Sequence, residues 1–477
     1  MQNLCLINGD WAEATDGGTV AVSNPATDEI LASVPSIGAE QAASAIDSAF
    51  RAGPEWSQRT AADRGGLLWK LAECMRRDSD RLANLMTREQ GKPLSEARGE
   101  IAYAASFLEW AAEEGKRLYG DIVPASATDK RIMVLRQPVG VTAIITPWNF
   151  PSAMITRKLG PALAAGCTAV IKPSELTPLS AIAIGELACE AGFPAGVINI
   201  VTGDAATIGD ALFADDRVRK LSFTGSTAVG RVLMGKAAKN LLRLSLELGG
   251  HAPFIVFDDA DLDVAVPAAV ACKFRNAGQT CVCANRFYVQ AGVYDEFNRR
   301  FAEAIGALTV GDGTRDGTQI GPLINDAAVE KTEAHVEDAR AHGARVAAGG
   351  ERVRLEGLAD RFYRPTLLEG MTPDMLIARE ETFGPVAPVA KFSDEREVIE
   401  LANASEYGLA AYFFTRDASR LMRVAEALEY GIVGANDGAP STAQAPFGGV
   451  KHSGFGREGG RYAMDEYTEL KYVSWQL

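Results

Sequence analysis

Long apolar runs, excess positive charge and a disulfide pattern are all missing from this 477-residue sequence. No stretch of about 18 apolar residues occurs, which excludes a transmembrane helix. The first residues show no basic segment followed by an apolar run, so we expect no signal peptide. The formal net charge of −14 argues against nucleic acid or an anionic membrane as a partner. It leaves a small anionic substrate possible, because a local arginine pair outweighs the global charge at short range.

The seven cysteines are scattered and odd in number. This fits reduced thiols better than a disulfide framework, so a cytoplasmic protein is expected. Cys281 and Cys283 form a Cys-x-Cys pair, but no third or fourth Cys or His clusters with them, and we expect no metal site. The length and the 47% hydrophobic content predict a globular protein of two or three domains.

The middle of the chain has the pattern of a parallel α/β sheet. Residues 40–115 read as helices, and after residue 140 short β-branched runs alternate with helix-length stretches. Repeated strand–helix–strand units imply a sheet covered on both faces. The predicted strands are 141–146, 169–172, 197–201, 218–223 and 243–247, and the predicted helices are 152–165, 178–191, 205–213 and 227–240.

Polar or glycine residues stand where each predicted strand stops. Asn149 follows the first strand, Lys172 closes the second, Gly203 follows the third, Gly225 follows the fourth and Glu247 ends the fifth. Ligands bind at the carboxyl ends of such strands, so this edge is the expected binding site. A second α/β pattern runs from about 252 to 460. Residues 468–475 alternate like a strand that has to pair elsewhere.

Three segments supply the parts of an acyl-enzyme mechanism. Cys281, in the run 278–286, offers a thiol nucleophile. Glu247, before Gly249 and Gly250, offers a carboxylate base, and Asn149 offers an amide donor for an oxyanion. Each residue alone has a plainer interpretation, as a small buried thiol, a solvated strand end and a turn residue. A carboxylate between apolar leucines is expected to have a raised pKa, which suits a general base.

The four histidines are the competing candidates for the base. None lies in a motif that we can attach to Cys281, so a Cys-His hydrolase is the weaker hypothesis. For the thiol, a helix N-terminus after Cys281 or a nearby cation would favour the thiolate.

Together the three segments resemble the aldehyde dehydrogenase superfamily, from about residue 5 to the C-terminus. The resemblance implies an α/β fold with a Rossmann-type cofactor domain, an α/β catalytic domain and a small β oligomerisation arm. The corresponding ranges are 1–118 with 138–249 for NAD binding, 250–464 for catalysis, and 119–137 with 465–477 for the arm. A homo-dimer or homo-tetramer is expected.

The resemblance also implies the chemistry. The Cys281 thiolate attacks an aldehyde, the Asn149 amide and the Cys281 N–H stabilise the oxyanion, and hydride passes to a nicotinamide. Glu247 then activates the water that releases the carboxylate. Two rival functions remain open: a CoA-acylating dehydrogenase, which the presence of Glu247 disfavours, and a non-enzymatic binding protein on the same fold.

The cofactor site is implied in the same way. Lys172 and Glu175 are expected at the adenosine ribose, Glu381 at the nicotinamide ribose and Phe383 beside the nicotinamide. Because Glu175 would repel a 2′-phosphate, NAD is preferred, with NADP still possible. The full expected set is Thr146, Pro147, Trp148, Lys172, Ser174, Glu175, Gly203, Gly225, Ser226, Leu248, Glu381 and Phe383.

Within the superfamily, the sequence most resembles the succinate-semialdehyde dehydrogenases. The resemblance rests on Arg157, Arg275, Ser441 and the second cysteine, Cys283. By this resemblance, the two arginines and the serine hold the distal carboxylate of a small anionic aldehyde, because a guanidinium group matches a carboxylate in geometry and charge. The alternative is that both arginines belong to structural ion pairs. Glutarate semialdehyde and 2-oxoglutarate semialdehyde would satisfy the same charge requirement. Cys283 is predicted to be a redox partner of Cys281, and the plainer interpretation, a small buried side chain, stays open.

Overall fold

The computed structural model describes residues 2–477, and its N-terminal part is a helical layer with small flanking strands. The helices predicted over 40–115 are present. Among residues 2–477, no helix is both long enough and apolar enough to cross a membrane. The elements of this part are β1 (Cys5–Ile7), β2 (Asp10–Ala12), β3 (Thr19–Ser23), β4 (Ile30–Pro35), α1 (Ala39–Gln58), α2 (Ala61–Arg77), α3 (Ser79–Gln90), α4 (Leu94–Glu114), β5 (Asp121–Val123) and β6 (Lys130–Pro138).

The next part is the predicted strand–helix alternation, with element ends close to those expected. Helix α8 ends at Ala237, earlier than predicted, and the next three residues, Ala238–Asn240, form a 3₁₀ turn. The elements are β7 (Val141–Ile145), α5 (Ala153–Ala165), β8 (Thr168–Lys172), α6 (Pro178–Ala191), β9 (Ile198–Ile200), α7 (Ala205–Ala214), β10 (Val218–Thr224), α8 (Thr227–Ala237) and β11 (Arg243–Glu247).

These strands form an eight-stranded sheet in the order β2-β1-β9-β8-β7-β10-β11, completed by a late strand of the chain. Strands β9, β8, β7, β10 and β11 are parallel. Neighbouring residues of β7 enter separate cores: Ile144 packs with the helices α2, α4, α5 and α6, whereas Ala143 packs with α1, α7 and α8. Burial on both faces explains why these strands read as continuous apolar runs.

The C-terminal part contains a second sheet and the chain end. The seven strands of this sheet, from one edge to the other, are 345–348, 366–369, 386–392, 284–290, 252–256, 410–414 and 432–435, all parallel except the first. Its elements are β12 (Ala252–Val256), α9 (Leu262–Phe274), β13 (Ala284–Gln290), α10 (Tyr294–Gly306), α11 (Asp326–Ala341), β14 (Arg345–Ala348), β15 (Arg352–Val353), β16 (Phe362–Tyr363), β17 (Thr366–Glu369), α12 (Leu376–Arg379), β18 (Val386–Phe392), α13 (Glu395–Asn403), β19 (Tyr407–Gly408), β20 (Ala410–Phe414), α14 (Ala418–Ala427), β21 (Ile432–Ala435), β22 (Val450–Lys451), β23 (Gly454–Phe455) and β24 (Thr468–Gln476).

The two large sheets meet at Glu247. This residue ends β11 in the first sheet, and β12 opens the second sheet at Ala252. Strand β23 returns to the first sheet and pairs antiparallel with β11, which places Gly454 opposite Glu247. Gly454 has φ +104°, and a Cβ there would lie 1.9 Å from the Leu246 carbonyl oxygen. Only glycine allows this close approach, which holds the returning strand against the candidate base.

Strands β24, β6 and β5 form a separate three-stranded antiparallel sheet, with β6 in the middle. Residues 468–476 of β24 pair with residues 130–138 of β6 along the whole strand. The sheet exposes large apolar side chains, namely Ile122, Leu470, Tyr472 and Trp475. An exposed apolar group of this kind is typical of a surface that a partner covers.

Candidate active site

Cys281 lies in a loop between a short 3₁₀ turn, Arg275–Gly278, and β13. Before it, Asn276 and Ala277 have φ +51° and +53°, a left-handed conformation that costs energy in residues other than glycine. Gly278 follows with φ +76°, and a Cβ there would lie 2.2 Å from the Gly384 carbonyl oxygen. A strand, not a helix, follows the cysteine, so the helix N-terminus considered for the thiolate is not present there.

Two cavities meet at Cys281. The first, which we call the arginine cavity, has a volume of about 340 Å³ and is lined by residues that include Phe150, Arg157, Arg275 and Ser441. The second, the glycine cavity, has a volume of about 240 Å³. Its lining residues are Pro147, Trp148, Asn149, Thr224, Gly225, Ser226, Leu248, Gly249, Cys281, Lys331, Glu381 and Phe383. A nucleophile shared by two cavities can act on a molecule in one while a second molecule occupies the other.

Burial dominates the electrostatics of the thiol. It raises the pKa of Cys281 to about 12, and the nearby Glu381 and Glu247 carboxylates act in the same direction. The Arg157 guanidinium opposes them and lowers the pKa of the thiol. Arg157 is therefore the nearby cation that favours the thiolate at this site.

Glu247 has the environment expected of a buried base. Burial raises the pKa of its carboxyl group well above the ordinary value, as the sequence predicted, and the neighbouring Glu458 carboxylate adds to the shift. Arg157 and Lys158 partly offset it. Among residues 2–477, neither Glu247 carboxylate oxygen has a hydrogen-bond partner. Both oxygens are thus available to a water molecule or another proton donor.

Asn149 is tied to the cysteine loop through both its backbone and its side chain. Its carbonyl oxygen accepts hydrogen bonds from Lys92 Nζ at 2.8 Å and from Asn276 Nδ2 at 3.1 Å. Its own Nδ2 donates to the Gln279 carbonyl oxygen at 3.0 Å. An amide nitrogen carries two hydrogens, so one N–H fixes the side chain and the second is available to a ligand.

The two predicted arginines differ in their partners. Arg157, in α5, is buried and ion-paired with Glu458, and its guanidinium carbon lies 3.8 Å from the centre of the Phe447 ring. Its Nη2 is buried, and in the described part of the chain it finds no hydrogen-bond partner. The same holds for Nε of Arg275. Both residues line the arginine cavity together with Ser441, so two cationic side chains with incomplete hydrogen bonding stand beside Cys281.

Seven of the predicted cofactor residues line the glycine cavity: Pro147, Trp148, Gly225, Ser226, Leu248, Glu381 and Phe383. Ser226 caps α8, accepting a hydrogen bond from Val229 N at 3.3 Å, so the positive end of a helix dipole faces the cavity. Phe383 has φ +58° and packs edge-on against Trp148 at 5.5 Å. Burial raises the pKa of Glu381 to about 7, and one of its oxygens accepts from Gly250 N at 3.1 Å.

The other five predicted cofactor residues follow or end neighbouring strands of the first sheet. Lys172 ends β8 and donates to the Glu175 carboxylate at 2.8 Å. Thr146 follows β7, and its buried hydroxyl has no partner within residues 2–477. Ser174 precedes Glu175, and Gly203 follows β9 with φ +139°. The N-terminus of α8, Gly203 after β9 and the unpaired hydroxyl of Thr146 are features that suit the binding of a dinucleotide.

Sequence reasoning missed two charged residues of this region. Glu458 is buried between Arg157 and Lys158 and forms ion pairs with both. Lys331 lines the glycine cavity and donates to the Glu381 carbonyl oxygen at 2.6 Å. Glu458 stands in a glycine-rich run and Lys331 in a helix with a charged face, so neither gives a local signal of function.

Cys283 is the last residue of the cysteine loop and is buried. Its Sγ lies 3.2 Å from the Gly278 carbonyl oxygen and 3.7 Å from Lys273 Nζ. The redox partnership with Cys281 stays a prediction.

Comparison with known proteins agrees with this geometry. The model of the aldehyde dehydrogenase family matches residues 11–473. The chain is 57% identical to the NADP-dependent succinate-semialdehyde dehydrogenase of Escherichia coli and 56% identical to a glutarate-semialdehyde dehydrogenase of Pseudomonas putida; each alignment covers 98% of this chain and 96% of the relative. A crystal structure of succinate-semialdehyde dehydrogenase from Burkholderia pseudomallei superposes with a TM-score of 0.98 at 53% identity, covering 100% of this chain and 98% of that one. The expected fold and family are confirmed: this chain belongs to the aldehyde dehydrogenase family.

Proposed function

We propose that the protein oxidises succinate semialdehyde to succinate with NAD, through a thioester on Cys281. The observation that carries this proposal is the arginine cavity. The Cys281 thiol and two arginine side chains, Arg157 and Arg275, line the same cavity, and each guanidinium group has one buried nitrogen without a partner, Nη2 of Arg157 and Nε of Arg275. A substrate with an aldehyde at one end and a carboxylate at the other satisfies both.

The donors explain the preference for an acid. A buried guanidinium nitrogen without a partner costs free energy, and a substrate carboxylate supplies the missing acceptor. Ser441 adds a hydroxyl to the same wall. A neutral aldehyde fills the cavity without satisfying these donors, and discrimination follows from the groups that it leaves unpaired.

The residues of the chain divide the reaction between them. Cys281 attacks the aldehyde carbon, and the free N–H of Asn149 and the Cys281 backbone N–H stabilise the developing oxyanion. A bound nicotinamide coenzyme supplies the hydride acceptor. Glu247 then takes a proton from the water that hydrolyses the thioester. The presence of this buried base favours water over CoA as the acceptor of the acyl group.

The second candidate substrate is glutarate semialdehyde, with 2-oxoglutarate semialdehyde as a further one. One relative at 56% identity is named for glutarate semialdehyde, and both aldehydes carry the same terminal carboxylate. The deciding experiment is a kcat/KM panel of C4 to C6 semialdehydes beside hexanal, each with NAD and with NADP and without CoA. A maximum at a neutral aldehyde would contradict the assignment of an acid substrate.

Arg275→Met is expected to raise KM for succinate semialdehyde about ten- to hundredfold, because a charge-assisted hydrogen bond contributes roughly 1.5–3 kcal/mol. Arg275 is preferred to Arg157 for this test, because removal of Arg157 would also leave Glu458 without one of its ion-pair partners. Steady-state kinetics with hexanal provide the control. If hexanal loses as much as the semialdehyde, Arg275 has a structural role and does not bind the carboxylate.

Glu175→Ser is expected to shift the kcat/KM ratio from NAD toward NADP by about tenfold, or about 1.4 kcal/mol. In the structure Glu175 pairs with Lys172. A carboxylate at this point repels a 2′-phosphate, and its removal frees the lysine to bind one. Glu175→Asp, which keeps the charge, is the matched control. If the wild-type enzyme already prefers NADP, the 2′-phosphate does not lie beside Glu175, and the prediction is wrong.

We also infer that the three-stranded sheet of β5, β6 and β24 is the oligomerisation arm. Its exposed apolar side chains, Ile122, Leu470, Tyr472 and Trp475, supply a surface for a second copy of the chain. Light scattering distinguishes the expected dimer or tetramer from a monomer.

A further inference from the structure

Lys92 is a buried ammonium group near the active site that the mechanism does not yet use. Its side chain is 1% exposed, it forms an ion pair with the equally buried Glu100, and Nζ lies 3.9 Å from the centre of the Phe150 ring. Buried ion pairs are often no more stabilising than apolar residues of the same volume. Stability alone therefore does not account for this pair.

The pair fixes two points of one short segment. Lys92 donates to the Asn149 carbonyl oxygen at 2.8 Å. The second oxygen of Glu100 accepts from Ser152 N at 3.0 Å and from Ala153 N at 3.2 Å, at the start of α5. The segment between β7 and α5 is thus held at its middle residue, Asn149, by a cation and at its end by an anion.

The same helical layer also holds the cysteine loop. Gln90 Nε2 donates to Asn276 Oδ1 at 3.0 Å, and a Glu96 carboxylate oxygen accepts from Asn276 N at 2.8 Å. Asn276 in turn donates to the Asn149 carbonyl oxygen, beside Lys92. These contacts hold Asn276 in its left-handed conformation. Two donors, Lys92 Nζ from the helical layer and Asn276 Nδ2 from the cysteine loop, therefore fix the orientation of the Asn149 peptide.

We propose that Lys92, balanced by Glu100, is a positioning residue for the oxyanion site. By fixing the Asn149 carbonyl, it sets the direction of the Asn149 side chain relative to Cys281. The inference rests on the proposed function, in which Asn149 stabilises the oxyanion. Displacement of a catalytic group by about 1 Å costs on the order of a hundredfold in rate, so a loss in the rate of the step that forms the oxyanion is expected.

The test is a cycle of four proteins: wild type, Asn149→Ala, Lys92→Met/Glu100→Gln, and the triple variant. Because Lys92→Met alone would leave Glu100 unpaired and could prevent folding, the paired variant removes both charges. The glutamine that replaces Glu100 retains an oxygen for the N–H groups of α5. Rapid mixing measures the rate of the first NADH formed. We expect the paired variant to lose about ten- to hundredfold in this rate at saturating substrate, with NAD affinity near normal because neither residue lines the glycine cavity.

The decisive comparison is between the triple variant and Asn149→Ala. If Lys92 acts through Asn149, removing the pair from Asn149→Ala slows the reaction by less than about threefold. Losses that multiply would overturn the inference. Asn149→Ala with wild-type rate would instead refute the oxyanion role in the proposed function, so the two failures are distinguishable.

A matched control and a second variant complete the test. Lys220 is a buried lysine that pairs with Glu466 at 3.2 Å, away from both cavities. Lys220→Met/Glu466→Gln should form the first NADH at the wild-type rate. If this control loses as much of that rate as the Lys92→Met/Glu100→Gln variant, the effect comes from removing a buried ion pair in general, and the inference is wrong. Asn276→Ala leaves the Lys92 pair intact but removes the second donor to Asn149, and it should lower the same rate without changing NAD affinity.

Discussion

Cys281→Ala should abolish aldehyde oxidation while NAD still binds with near-normal affinity. The thiol is the nucleophile, and without it no thioester forms. The protein groups around the glycine cavity are otherwise unchanged, since Cys281 is one lining residue among many. Absorbance at the NADH band measures turnover, and quenching of protein fluorescence on NAD addition measures binding.

Cys281→Ser is the matched variant for the same position. A hydroxyl has nearly the size of the thiol but is a far weaker nucleophile at neutral pH, so turnover should fall almost as far as with alanine. Loss of an activated nucleophile lowers kcat by several orders of magnitude. If either variant retains more than a few per cent of wild-type kcat, the nucleophile is therefore another residue. Cys283 is then the next candidate, because it is two residues away.

The parallel sheet was predictable from sequence because its signals are local. Runs of β-branched residues alternate with helices that end in glycine, such as Gly166 after α5 and Gly192 after α6, both left-handed. The nucleophile, base and amide were predictable because each stands at a strand end or in a loop of recognisable composition. The structure adds that two cavities meet at the cysteine.

The charged network behind these residues was not predictable. Glu458 lies about 300 residues from Arg157 and Lys158 along the chain and meets them only because β23 returns to the first sheet. Lys92 follows α3, where sequence indicates only the end of a helix. Pairings over such separations depend on tertiary packing, which short-range periodicity does not encode.

This network changes the interpretation of Arg157. Sequence indicated a substrate-binding arginine, whereas the structure shows a guanidinium that holds Glu458 and retains one unsatisfied nitrogen. Its charge also opposes the rise that burial causes in the pKa of Cys281. Substitution of Arg157 therefore disturbs the nucleophile and the Glu458 network as well as any bound carboxylate, and its kinetic effects will not separate binding from chemistry.

Glu247→Gln should block hydrolysis of the thioester more than its formation. Glutamine keeps the shape of the side chain but cannot take a proton from water. Rapid mixing with NAD and succinate semialdehyde should therefore show a burst of about one NADH per active site, followed by slow turnover. If the burst and the steady-state rate fall together, Glu247 acts before hydride transfer.

The pH dependence gives an independent test of Glu247. Only its carboxylate form accepts a proton, so hydrolysis should increase as pH rises through the pKa of Glu247. Because burial holds that pKa well above the ordinary value, the increase should occur at higher pH than for an exposed glutamate. Single-turnover release of succinate, measured after the thioester has formed, isolates this step. In Glu247→Gln the slow release should lose that pH dependence, and a variant that kept it would assign the titrating group to another residue.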